Sequence, residues 1–185
     1  MKNIATAALM LSLGAAIVYA QQDPVTMLFS GNGSPSAINL NQPNTTTGEQ
    51  NLDGNGTLGL FTFRIVRTSA TSPQSSSACS GLFLPSVFGA GLFRFLDGSL
   101  LMVKVKEGGD CIDLAQMVGH STLTLQITGG TGRFKDASGV LTFTETARPV
   151  LADAANNPVL FTETGEITGT VSGVAMEGES QDVRR

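Results

Sequence analysis

The clearest pattern along the chain is alternation. From Thr122 to Thr128, Leu123, Leu125 and Ile127 fall on one side, and Thr122, Thr124, Gln126 and Thr128 fall on the other. Strict period two predicts a half-buried β-strand. A glycine turn follows, and Val140 to Thr146 alternates again, with Leu141 and Phe143 set against Thr142 and Thr144. Earlier, Leu58 to Thr68 places Phe61, Phe63 and Ile65 on one face, with Leu60, Thr62, Arg64 and Val66 opposite. Leu82 to Leu96 resumes the strand rhythm around glycines, and Asp97-Gly98 is a hairpin signal before Ser99 to Lys106. Glu107 to Asp110 reads as the next turn, and Ile112 to Val118 fits either a short strand or a helical turn. Ala147 to Pro158, punctuated by Pro149 and Pro158, reads as a loop. Leu160 to Thr164 and Glu166 to Val174 then predict two strands, bent or broken at Gly165. No longer window carries a helical period. Seven or eight closely spaced antiparallel strands predict a sandwich or a small closed barrel.

The N-terminus differs. Lys2 precedes an apolar run from Ala5 to Val18, and Val18-Tyr19-Ala20 offers small residues before Gln21. This is the pattern of a signal peptide over residues 1–20, too short and too weakly flanked for a membrane span. Residues 21–56 are rich in Asn, Gln, Thr, Ser, Gly and Pro; within them only Val25 to Phe29 reads as a strand. The expectation there is a mostly irregular polar segment, followed by a barrel domain over 57–176 and a charged tail over 177–185. Asn32, Asn44 and Asn55 head Asn-x-Ser/Thr triplets, which matter only in a eukaryotic secretory route.

Composition narrows the function classes. Without Lys2, 10 of the 11 basic residues remain against 15 acidic ones, a net charge of −5. An acidic chain without clustered Lys and Arg predicts no nucleic-acid partner. No later apolar run approaches membrane-spanning length, so a secreted or periplasmic location is expected. Cys79 and Cys111 are the two cysteines, and in an exported chain they predict one disulfide. A single histidine, His120, with two distant cysteines makes no metal-ligand set, so no metal and no cofactor are expected.

Gly129-Gly130-Thr131-Gly132 invites comparison with phosphate loops. Neither the Gly-Lys-Ser/Thr ending of one type nor the βαβ setting of the other is present. The structural reading is that Gly129, Gly130, Gly132 and Gly139 allow tight backbone geometry while Phe134 folds back as a plug. The run Gly129-Gly130-Thr131-Gly132-Arg133-Phe134, then Ala137-Ser138-Gly139, resembles the hallmark turn of dirigent proteins. A similar turn occurs in the related allene oxide cyclase family and in bacterial exported proteins with such a barrel. The resemblance covers about 11 residues, roughly 25 with flanking strands. It implies an eight-stranded antiparallel barrel with an apolar cavity, often in homodimers or homotrimers. Counterparts of the pocket Asp and Arg residues of dirigent proteins are not evident.

Candidate chemistry is sparse. Glu145 follows Leu141 and Phe143 in phase, and Glu163 follows Phe161. If their strands are neighbours, both carboxylates face the cavity, where desolvation raises a pKa and suits acid–base work; otherwise they lie in solvent at strand ends. Arg64 and Arg94 either point inward to an acidic group or mark the solvated face. His120 reads as a turn residue, and Arg133 as a structural donor to loop carbonyls. Three readings follow: a barrel binding a small hydrophobic ligand, a cyclase or isomerase using a lumen carboxylate or arginine, and a structural surface protein with a filled barrel.

Overall fold

A computed structural model describes residues 22–38 and 42–175. The expected signal peptide and charged tail lie outside these residues. The chain forms eight antiparallel strands: β1 (Gln22–Pro35), β2 (Thr45–Gly56), β3 (Phe61–Ala70), β4 (Leu82–Phe95), β5 (Leu100–Asp113), β6 (Val118–Gly130), β7 (Ser138–Ala152) and β8 (Pro158–Ser172). Each pairs with its neighbour in sequence, and β8 pairs with β1 from Gln22↔Ser172 to Gly33↔Phe161, closing a barrel. Between β6 and β7, one short 3-10 helix covers Gly132–Phe134.

Closure makes the inward face the core. Phe61, Phe63 and Ile65 of β3, Leu123, Leu125 and Ile127 of β6, and Leu141 and Phe143 of β7 are buried, as their alternation predicts. Phe63 stacks on Phe93 at 3.9 Å between ring centroids, and Phe29 stacks on Phe143 at 4.9 Å. The outer wall carries the other phase, including Thr62, Arg64, Lys104, Thr122 and Glu166.

Several expectations are corrected. Residues 21–56 are not irregular: β1 and β2 span most of them, and the barrel begins at Gln22 rather than at 57. Their hydrophobic period is hidden because glycines occupy inward positions opposite large side chains. A Cβ on Gly54 would lie 2.4 Å from Phe61 Cζ, so only glycine leaves room for that ring. Glu107 to Asp110 is strand, not turn, with a register shift between Val105 and Glu107. Ala147 to Ala152 continues β7, and β8 runs through Gly165 unbroken. The ambiguous 112–118 stretch resolves into a strand end, a turn and a strand start.

The glycine turn caps one end of the barrel. Gly132 has φ +59, and a Cβ there would meet Ser99 Oγ at 2.4 Å. Phe134 is fully buried with its ring 4.6 Å from Phe95. Arg133 lies over both rings, 4.6 Å from Phe134 and 5.0 Å from Phe95. It also pairs with Asp97 at 3.0 Å and donates to the Leu58 carbonyl at 2.5 Å.

At the opposite end, Cys79 and Cys111 form the disulfide, with Cα atoms 5.5 Å apart. It ties the loop after β3 to β5 across 32 residues, a closure that stabilises by about 3–4 kcal/mol on the chain-entropy view. Two expected outcomes follow. The double variant Cys79→Ser/Cys111→Ser should unfold at lower denaturant, with a loss of about 3 kcal/mol by urea titration. Phe134→Ala should cost about 3–5 kcal/mol in the same assay, because it removes a fully buried ring.

Candidate functional site

The end of the lumen away from Phe134 is polar. Continuing the inward phase of β3 past Ile65 brings in Arg67 and Ser69. The same phase supplies Gln50 from β2, Ser121 from β6, Glu145 from β7 and Glu163 from β8, and Asp110 of β5 joins them. Gln50, Ser69, Ser121, Glu145 and Glu163 are all buried. The sequence thus places two candidates, Glu145 and Glu163, where strand adjacency brings their carboxylates inside. Arg64 takes the solvated alternative: it sits one residue out of phase, projects from the outer wall, and donates through Nε to Asn51 Oδ1 at 2.7 Å.

Arg67 is the hub. Its Nη1 donates to Asp110 Oδ1 at 2.6 Å and Oδ2 at 2.8 Å, with Ser69 Oγ at 3.5 Å. Nη2 donates to Ser121 Oγ and Glu145 Oε1, each at 3.2 Å, and Nε reaches Gln50 Oε1 at 3.4 Å. Every nitrogen of the guanidinium is therefore engaged. Gln50 Nε2 donates to Glu145 Oε2 at 2.7 Å, and Ser69 Oγ donates to Asp110 Oδ2 at 2.9 Å.

Ser121 is shared between two carboxylates. Ser121 Oγ lies 2.6 Å from Asp110 Oδ1 and 2.8 Å from Glu145 Oε1. A hydroxyl has one proton to donate, so Ser121 serves one of the two carboxylates at a time. Burial raises the Glu145 pKa, and Arg67, Ser121 and Gln50 oppose that without cancelling it. For Arg67, burial works against the charge, but Asp110 and Glu145 outweigh it and raise its pKa.

Glu163 adjoins the cluster through Gln50. Its residue is 4% exposed, and its buried Oε2 has no hydrogen-bond partner. Its register partner on β1 is Gly31, and a Cβ on nearby Gly33 would lie 2.1 Å from Glu163 Oε1, so the carboxylate occupies the space that glycine leaves. Burial, then the charge of Glu145, pushes its pKa to about 7.

The wall near Arg67 is loosely knit. The β4–β5 ladder runs from Leu82↔Ile112 to Pro85↔Gly109 and resumes at Ala90↔Lys104, leaving an interval between them. Val87 and Phe88 on that interval are half exposed. On the outer wall at the capped end, a groove of about 960 Å³ is lined by Leu28, Leu60, Phe61, Arg94 and Leu96. Arg94 therefore belongs to the outer face. His120 lies exposed within β6, its Nδ1 3.2 Å from Thr146 Oγ1. Among the described residues, no group of His, Cys, Asp and Glu is arranged to hold a metal ion.

These features define an up-and-down eight-stranded barrel with an aromatic half and a buried, charged half. Among solved structures, the chain is similar to the pterocarpan synthase dirigent protein GePTS1, at 13% identity and a TM-score of 0.35 over 88% of this chain and 99% of that one. No family model matches the chain, and no curated protein matches it in sequence. The likeness assigns no residue a role; the barrel is established by its own closed ladder of strand pairs.

The raised Glu163 pKa has a direct consequence for stability. From an ordinary 4.5 to about 7, the folded chain keeps a proton that the unfolded chain has lost. The contribution of this group is full below about pH 4.5 and is lost as the pH rises to about 7. Glu163→Gln stays neutral throughout, so its stability relative to the wild type should improve across that window, by up to on the order of 3 kcal/mol. Urea unfolding of both proteins at a series of pH values checks this. An identical pH slope in the two would show that the proton is not held there.

Proposed function

We propose that the polar end of the lumen is an acid–base site acting on a small molecule, of the isomerase or cyclase class. The observation that carries this reading is Glu163: a buried carboxylate with an idle oxygen, beside a carboxylate pair organised by Arg67. Holding three carboxylates around one guanidinium, two of them buried, is costly, and an apolar filling of the same volume is often the more stable choice. Such arrangements are characteristic of functional sites, where a group titrating near neutrality serves as proton donor and acceptor. Arg67 would fix the charge distribution around the reacting group, and Glu145 would share the proton load.

The solid packing of Phe63, Phe93, Phe134 and Phe143 favours a second reading, a structural barrel. An apolar ligand lodged among those rings would have to displace them. The disulfide is compatible with an oxidising compartment, so either role would be exercised outside the cytoplasm.

The test is to incubate small-molecule extracts of the source organism with the purified protein and follow isomer composition by chromatography and mass spectrometry. The wild type should change at least one component, and Glu163→Gln should do so about 100-fold more slowly or worse. Extracts unchanged by the wild type would leave the structural barrel as the function.

A further inference from the structure

Resting on the acid–base reading of this site, we infer that the polar end of the lumen takes a small organic cation, a primary ammonium group, with Glu163 Oε2 as its acceptor. Three observations converge. First, Arg67 has no donor to spare: all three of its nitrogens are engaged by Asp110, Ser69, Ser121, Glu145 and Gln50. An anionic ligand would therefore find no free cationic partner here. Second, Oε2 of Glu163 is a buried acceptor without a donor. An unpaired buried acceptor is costly, and a donor arriving with a ligand relieves that cost.

Third, the charge is unbalanced. Asp110, Glu145 and Glu163 face Arg67, so the fully ionised cluster carries two excess negative charges. No other titratable group enters the balance around Glu163: β1 presents Gly31 and Gly33, and Ala147 of β7 is its register partner. The protein offsets the excess with protons. An ammonium group offsets it equally well and supplies the donor that Oε2 lacks, whereas a neutral hydroxyl supplies the donor alone.

Binding then exchanges a proton for the cation. Affinity for an ammonium ligand rises with pH across the titration of Glu163, and binding near neutrality releases a proton.

Isothermal titration of the folded protein with n-butylammonium, n-butanol and n-butyrate tests the inference. The expected result is binding of butylammonium alone, tighter at about pH 8 than at about pH 6. Its heat should depend on the ionisation enthalpy of the buffer, which reports the released proton. Glu163→Gln should weaken it by about tenfold or more, the effect of losing one charge-assisted bond. Glu166→Gln, on the outer face of the same strand, should leave it unchanged. Binding of butanol or butyrate in preference would overturn the cation assignment, and so would no binding of butylammonium. The acid–base reading is judged separately, by the turnover of extracts and the pH slope of stability.

Discussion

Closure of β8 onto β1 is the constraint on which the rest depends. Once the two strands pair over twelve residues, no strand has a free edge, and every side chain of the inward phase is committed to the lumen. The lumen is narrow enough for side chains to fill it. An inward charged residue therefore cannot reach bulk water by moving aside, and it must find partners within the same ring of strands. Arg67, Asp110 and Glu145, contributed by β3, β5 and β7, do so across the barrel.

The two halves of the lumen are built on opposite principles. Toward the Phe134 plug, aromatic rings stack and interlock, and stability comes from buried apolar area and close contact. Toward the disulfide end, the volume is given to a hydrogen-bonded charge cluster that contributes little net stability. The disulfide bears on this second half. Cys111 follows Asp110 directly, so the cross-link restrains the strand that holds the carboxylate bound to Arg67. A site of this kind gains its properties from restraint: donors and acceptors are already oriented, and one oxygen of Glu163 is left over.

Much of the fold was legible in local pattern. Period two is a direct consequence of strand geometry, so Phe61, Phe63, Ile65, Leu123, Leu125, Leu141 and Phe143 announced their burial without reference to anything distant. The hairpin at Asp97-Gly98 and the plug at Phe134 were visible for the same reason, since both are set by nearby backbone. The phase that identified Phe61 to Ile65 also pointed to Arg67 and Ser69, and the phase of Leu123 pointed back to Ser121. Those residues were readable in principle and were missed because polar side chains at strand ends usually face solvent. Gln50 and Asp110 were hidden more deeply, one in a strand whose inward positions are partly glycine, the other in a stretch with turn composition.

The sequence by itself determined an all-β chain, the inward phase of its apolar strands, a glycine turn with a phenylalanine plug, and one cysteine pair. The tertiary structure decided that Glu145 and Glu163 lie inside, that Arg64 lies outside while Arg67 is the hub, and that β1 and β2 belong to the barrel. The physical reason is the range of the interactions. Alternation and turn chemistry act over a few residues and are written locally. A carboxylate's pKa and partners depend on which strands are neighbours, and here the Gln50–Glu145 bond alone joins residues 95 positions apart. Only closure of the barrel brings them together.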